Sequence, residues 1–324
     1  MKWQPYFQDV LNLKKSWSHE VRDIARGKGK YPLLCFSIGK GERSIVIISR
    51  IHGHEPAGTS GLCAFLNYCN SPSIRNDVFF SQWSKKWKLH VFPMVNVDAA
   101  IRYQQAIPEC FPPNRFSVDE SSYRIYKNIL TSPGLLLHDN LDLRVTRISK
   151  TDIAKLKKIN SPLGTLYNEN GIELFLDWKT RESVQIKALH QFIAVCRPEF
   201  LVDIHCHELP TNIFIPMVAG ESTRLGALKC IASELIKELR KSNAPCTTKK
   251  RIRSYKQNVP VLYAQDYLFA EYGISSLLWE VNNGYKLPSS YNKYLGRDSK
   301  INALTKEQMT RTVYLLLSRF LQVV

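Results

Sequence analysis

Short apolar runs alternate with amphipathic segments along this chain, and that alternation confines it to α/β architectures. Leu33–Ile38 and Ser44–Ser49 read as a pair of strands joined by Gly39-Lys40-Gly41, a turn signal. Ala57–Asn70 reads as a helix, and Lys88–Val95 as a buried strand with a polar exit at Asn96. Within Glu182–Val195, the residues Val184, Ile186, Leu189, Phe192 and Ile193 fall mostly on one helical face. Phe200–Ile204 is apolar throughout except for Asp203, which suits a mostly buried strand. Arg224–Arg240, Gln265–Tyr272 and Thr305–Val323 read as helices, the second closed by Gly273. Ile274–Val281 is another buried strand. The expected core is an α/β domain around a mixed or mostly parallel sheet.

The stretch Arg102–Leu166 breaks the alternation. Its periodicity is weak, and Pro108, Pro112, Pro113, Pro133 and Pro162 are scattered through it. It reads as a long excursion from the core, not as a second domain. No repeat or Gly/Ser-rich linker divides the chain, so one domain is expected over 1–324.

At 324 residues the chain can bury a core without staples. No apolar run reaches membrane-spanning length, which excludes a transmembrane helix. The opening Met1-Lys2-Trp3-Gln4-Pro5 has no apolar signal core. The 8 cysteines form no CxxC. Free thiols and a cytoplasmic location are therefore expected. Net charge is +17, which favours anionic partners. The lack of a nucleic-acid motif, and of aromatic and basic residues interleaved on a strand, argues against nucleic acid.

Three places set metal-type side chains at the mouth of an expected strand. Arg50-Ile51-His52-Gly53-His54-Glu55-Pro56 follows the strand Ser44–Ser49 and opens a helix. His52 and Glu55, three residues apart in a tight turn, can reach one cation, and imidazole and carboxylate are natural zinc ligands. Gly53 lets the backbone bend between them. At the end of Phe200–Ile204, His205 projects from the carboxyl edge of the sheet, where α/β proteins build sites. Asp203, two residues back on the same side, can support it. Glu280 ends an otherwise apolar strand, a costly position for a carboxylate unless it is paired or functional. Burial there is expected to raise its pKa, as suits a general base. Two His and one Glu holding zinc, with a second Glu taking a proton from water, form one template for amide hydrolysis.

These blocks, in this order, resemble the zinc carboxypeptidase family in the broad sense that includes succinylglutamate desuccinylase and aspartoacylase relatives. Tyr31–Gly58 is similar to that family's opening strands and HGxE motif, and Asn96-Val97-Asp98-Ala99 to its Asn-Pro-Asp-Gly turn. Pro198–His205 is similar to the strand carrying the second metal-binding His. Asp266 and Glu280 match the spacing of its closing strand. The resemblance implies a three-layer α/β/α fold with a mixed, mostly parallel sheet. It implies His52, Glu55 and His205 as ligands of Zn2+ and Glu280 as base and proton shuttle. Its implied function is zinc-dependent hydrolysis of a peptide or peptide-like amide by activated water. Two alternatives stay open: an N-acyl amino acid amidohydrolase of the same superfamily, and a zinc-binding pseudoenzyme.

One stretch departs from the family pattern. Where the family reads Gly-Val-Asp-Leu-Asn-Arg-Asn-Phe, this chain reads Gly171-Ile172-Glu173-Leu174-Phe175-Leu176-Asp177-Trp178. Phe175 and Leu176 stand where Asn and Arg bind a substrate's terminal carboxylate, and Leu cannot make that clamp. Leu166 or Tyr167 falls near the place of the Arg that polarises the carbonyl. Positive charge is instead expected from the rim: Arg251 and Arg253 with Tyr255 or Tyr263, or Arg102, Arg115 and Arg124 of the excursion. An acidic or extended substrate follows from that.

Overall fold

The computed structural model describes residues 5–27, 30–102, 147–158, 163, 166–207, 213–216, 222–242, 264–282 and 306–324. Seven strands form one sheet: β1 (Glu20–Arg26), β2 (Pro32–Ile38), β3 (Arg43–Ser49), β4 (Trp87–Phe92), β5 (Phe200–His207), β6 (Ile213–Pro216) and β7 (Ser275–Asn282). Their order across the sheet is β1-β2-β4-β3-β5-β7-β6. The four central strands β4, β3, β5 and β7 run parallel, while β2 and β6 run against them. Eight helices carry labels here: α1 (Pro5–Ser16), α2 (Pro56–Cys69), α3 (Val78–Lys86), α4 (Lys150–Lys158), α5 (Val184–Cys196), α6 (Ser222–Lys241), α7 (Ala264–Tyr272) and α8 (Lys306–Val323).

Period-two alternation sorts the central strands between two cores. On β5, Val202, Ile204 and Cys206 enter one core, together with Leu277, Trp279 and Val281 of β7. Apolar residues of α1, α2, α6 and α8, such as Leu13, Leu66, Leu235 and Leu317, cover that face. Leu201 and Leu278 face the other way, under Ile186 and Leu189 of α5 and Leu268 of α7. The result is helix layers on both faces of a mixed sheet, as expected. Asp203, His205 and Glu280 share the second face, because each is an even number of residues from Leu201 or Leu278.

The expected β2–β3 hairpin does not form. β4 lies between the two strands, antiparallel to β2 and parallel to β3. The Gly39-Lys40-Gly41 link instead crosses the start of β4. Lys40 N donates to Ser84 O at 2.8 Å and Gly41 N to Trp87 O at 3.3 Å. Gly39 has φ +89°, and a Cβ there would meet Trp87 O at 2.2 Å. The glycine signal marks a close crossing, not a turn that pairs β2 with β3.

The excursion lies mostly outside the described residues. Its described part includes α4 and Arg147, whose bridge to Ile172 ties it to the core. Arg102 is committed to this packing: it pairs with Glu169 and donates to Leu163 O at 2.8 Å and Tyr167 O at 2.6 Å. It is therefore corrected from a rim residue to a structural one. Among the described residues no helix is long and apolar enough to cross a membrane.

Candidate metal centre

The turn after β3 builds the first half of the centre. Arg50 leaves the strand with φ +58° and is fully buried, and its Nε donates to Gly53 O at 2.9 Å. Glu55 N closes the turn onto His52 O at 3.2 Å, and Pro56 then starts α2. The Asn96–Ala99 turn packs beneath. Asn96 N donates to Arg50 O at 3.0 Å, and Asn96 Nδ2 to Ile51 O at 3.2 Å. Gly53 does not need positive φ here. Its hydrogen is required because a Cβ would meet Ala99 O at 2.5 Å. Two blocks singled out in the sequence are thus one packed unit.

His52, Glu55 and His205 converge, with one ligand atom from each lying within 4.8 Å of the others. His52 Nδ1 lies 2.7 Å from Glu55 Oε1, and His205 Nδ1 lies 3.1 Å from Glu55 Oε2. Each imidazole is backed by a carboxyl group on its far side. His52 Nε2 is 3.4 Å from Glu173 Oε1, and His205 Nε2 is 3.0 Å from Asp203 Oδ2. All five residues are buried. Metal-binding histidines are typically backed in this way, which fixes the tautomer and directs the other nitrogen at the cation.

Glu280 sits on β7 directly opposite His205 on β5. Burial pushes its carboxyl up to about 7, with His205 and His52 pulling partly against that rise. Burial works against a charged His205, but Asp203 and Glu55 outweigh it and hold its pKa well above the usual value. Burial is likewise outweighed at His52 by Glu55 and Glu173, which raises that pKa. For Glu55, burial loses to the two imidazoles, and its pKa lies well below the usual range. The carboxyl groups around this point call for positive charge. A divalent cation between two Nδ1 atoms and Glu55 meets that demand, so the donor set fits zinc.

Neither a protein-family model nor a curated protein matches the sequence. Solved structures do match. A metallo-carboxypeptidase from Burkholderia cenocepacia aligns with TM-score 0.62 at 13% identity, covering 98% of this chain and 67% of that one. This chain has the metallo-carboxypeptidase fold. A metallo-carboxypeptidase from Pseudomonas aeruginosa, in complex with (2-guanidinoethylmercapto)succinic acid, aligns at TM-score 0.62 and 12% identity, covering 97% and 67% of the two chains. The thrombin activatable fibrinolysis inhibitor aligns at TM-score 0.55 and 13% identity, covering 100% and 78%.

Within this metallo-carboxypeptidase fold, Phe175 and Leu176 lie on a short 3-10 turn, Leu174–Leu176. The Phe175 ring stands edge-on to both candidate ligands, with centroids 4.7 Å from His205 and 5.7 Å from His52. The position is buried and apolar and adjoins the metal centre. Arg251, Arg253, Tyr255 and Tyr263, like Arg115 and Arg124, lie outside the described residues. Tyr167 is buried in packing with Ile148 and Leu166. The sequence reading missed Glu173, although a lone carboxyl within Ile172–Leu176 carried the same signal as Glu280. His54 lies in the same turn as His52 and Glu55. That ring stacks on His52 at 5.9 Å, with its Nε2 3.8 Å from Glu55 Oε1.

Proposed function

We propose that this protein is a zinc-dependent hydrolase of a peptide or peptide-like amide bond. The observation that carries the proposal is the convergence of His52, Glu55 and His205 at the carboxyl ends of β3 and β5, with Glu280 in register beside them. Zinc in such a donor set supplies Lewis acidity and makes water a nucleophile near neutral pH.

The remaining chemistry belongs to the chain. Glu173 and Asp203 orient the two imidazoles, so that both Nδ1 atoms face Glu55. Glu280, ionised, takes a proton from the attacking water at a carboxylate oxygen and returns it to the leaving nitrogen. A pKa raised by burial suits both steps, because the group accepts and releases a proton near neutrality. Phe175 keeps bulk water from one side of the histidines, which strengthens electrostatic interactions within the site.

The test pairs metal analysis with a panel of peptide and N-acyl amino acid substrates. One zinc per chain with hydrolysis of an amide supports the proposal. Zinc without turnover on any amide favours the pseudoenzyme reading, and cleavage confined to N-acyl amino acids favours the amidohydrolase. A chain that takes up no zinc removes the proposal altogether.

A further inference from the structure

One oxygen of Asp203 is engaged from two directions. Its Oδ2 lies 3.0 Å from His205 Nε2 and accepts a hydrogen bond from Gln265 Nε2 at 2.8 Å. Asp203 and Gln265 are both fully buried. A carboxyl group this deep in the sheet is costly unless donors surround it. Glutamine suits the position chemically. Its amide donates a hydrogen bond without ionising, so no second charge enters the layer behind His205.

The contact also joins two parts of the centre. Gln265 lies in the first turn of α7. That helix ends at Gly273, whose φ is +65°, and the chain enters β7, which carries Glu280. The Gln265 amide therefore ties the carboxyl behind His205 to the helix–strand unit that delivers Glu280.

We propose that Gln265 is a positioning residue for the metal centre, acting through Asp203 on the orientation and tautomer of His205. The argument rests on the reading of His52, Glu55 and His205 as a metal site. A neutral imidazole offers one donor and one acceptor nitrogen. Asp203 Oδ2, 3.0 Å from His205 Nε2, favours the proton on that nitrogen, which leaves the Nδ1 lone pair for the cation. Asp203 enforces this only while its own torsion is held, and Gln265 supplies that hold.

The experiment uses the full chain, stripped of metal and titrated with zinc and then with cobalt(II). Gln265→Met keeps the side chain's length and loses the donor. The expected result is about a tenfold loss of zinc affinity, within the range seen when outer-sphere partners are removed. The visible absorption of the cobalt form should shift, a readout that a merely structural role would not move, while the metal-free protein melts lower because the buried Asp203 carboxyl has lost a donor. In an Asp203→Ala background, Gln265→Met should change nothing further. Should Gln265→Met fold poorly, Gln265→Asn withdraws the same donor by one methylene. Wild-type affinity and an unshifted cobalt spectrum in the variant would overturn the inference, as would an undiminished loss in the Asp203→Ala background. A wild-type chain that binds neither metal is a different result, and it refutes the metal site itself.

Discussion

His205 and Glu280 stand opposite one another on adjacent parallel strands. Alternation along both strands turns them to the same face. The pair joins the two functions a hydrolytic metal centre must separate. Under the proposed function, His205 would serve as a ligand while Glu280 stays off the metal and moves protons. The backbone ladder between β5 and β7 fixes their spacing, so the arrangement depends on the pairing of two interior strands of the sheet.

Glu280→Gln is expected to keep the fold and the metal while lowering hydrolysis by about 10²–10⁴-fold, the usual contribution of a general base. The base must be ionised to act. Burial, partly opposed by His205 and His52, raises its pKa to about 7, and a cation nearby pulls it lower. In the wild type, kcat/KM should therefore rise with pH along an acid limb at or below about 7. Measuring that profile together with the zinc content of the Gln variant checks both claims. Near-normal turnover in the variant removes Glu280 from the mechanism.

Zinc should stabilise the folded chain by mass action, since the site requires β3, β5 and their loops to be assembled. At a hundredfold excess over Kd, the gain is about 2.7 kcal/mol. Thermal melts with and without zinc should show this as an upward shift. His205→Ala and Glu55→Ala should each abolish it. A zinc-dependent shift that survives both variants places the metal elsewhere.

A second titratable group lies away from the centre. His90 on β4 is buried, and its Nδ1 is 2.8 Å from Ser37 Oγ. Burial, with Lys88 and Arg22 adding to it, lowers its pKa from 6.5 to about 4. A histidine lowered in the folded state contributes stability that is fully present above pH 6.5. That stability is lost as the pH falls toward 4, because the unfolded chain then binds the proton first. At pH 5 the loss from this group is about 2 kcal/mol relative to pH 7. Urea unfolding of the wild type and His90→Asn at both pH values isolates it. Equal pH dependence in the two proteins would show that His90 is not responsible.

The local features of the centre were legible in the sequence, and the partners that reach it from elsewhere were not. His52 and Glu55 lie in one turn, so their spacing carried their geometry. His205 and Glu280 each end an apolar strand, and a polar residue in that setting stands out. Asp203 was readable because alternation places it on the face of His205. Glu173 and Gln265 approach from a 3-10 turn and a helix far along the chain, and no periodicity links them to the strands they meet. The β2–β3 error has the same origin. Gly39 and Gly41 show that the backbone needs glycine, but whether it turns back or crosses β4 depends on a strand that comes some forty residues later. β1 is an edge strand with a weak apolar pattern, and β6 is an edge strand of only four residues that ends in a proline, and they went unread for those reasons.

The last prediction concerns what the site accepts. Phe175 and Leu176 occupy the turn where the resembling family carries its Asn-Arg pair. The Phe175 ring lies against His205 and His52. Neither side chain donates a hydrogen bond, so this turn cannot grip a terminal carboxylate through its side chains. Capping the C-terminus of a peptide substrate as an amide should therefore leave kcat/KM within about threefold, where loss of a bidentate arginine contact would cost far more. Any preference for acidic substrates should come from exposed basic side chains around the rim. Such contacts are screened as ionic strength rises, so that preference should fade between low and high salt. The measurement is a matched set of free-acid and amidated peptides, neutral and acidic, assayed at both salt concentrations. A strong, salt-independent preference for the free acid would mean that another residue supplies the clamp, and this account of specificity would be withdrawn.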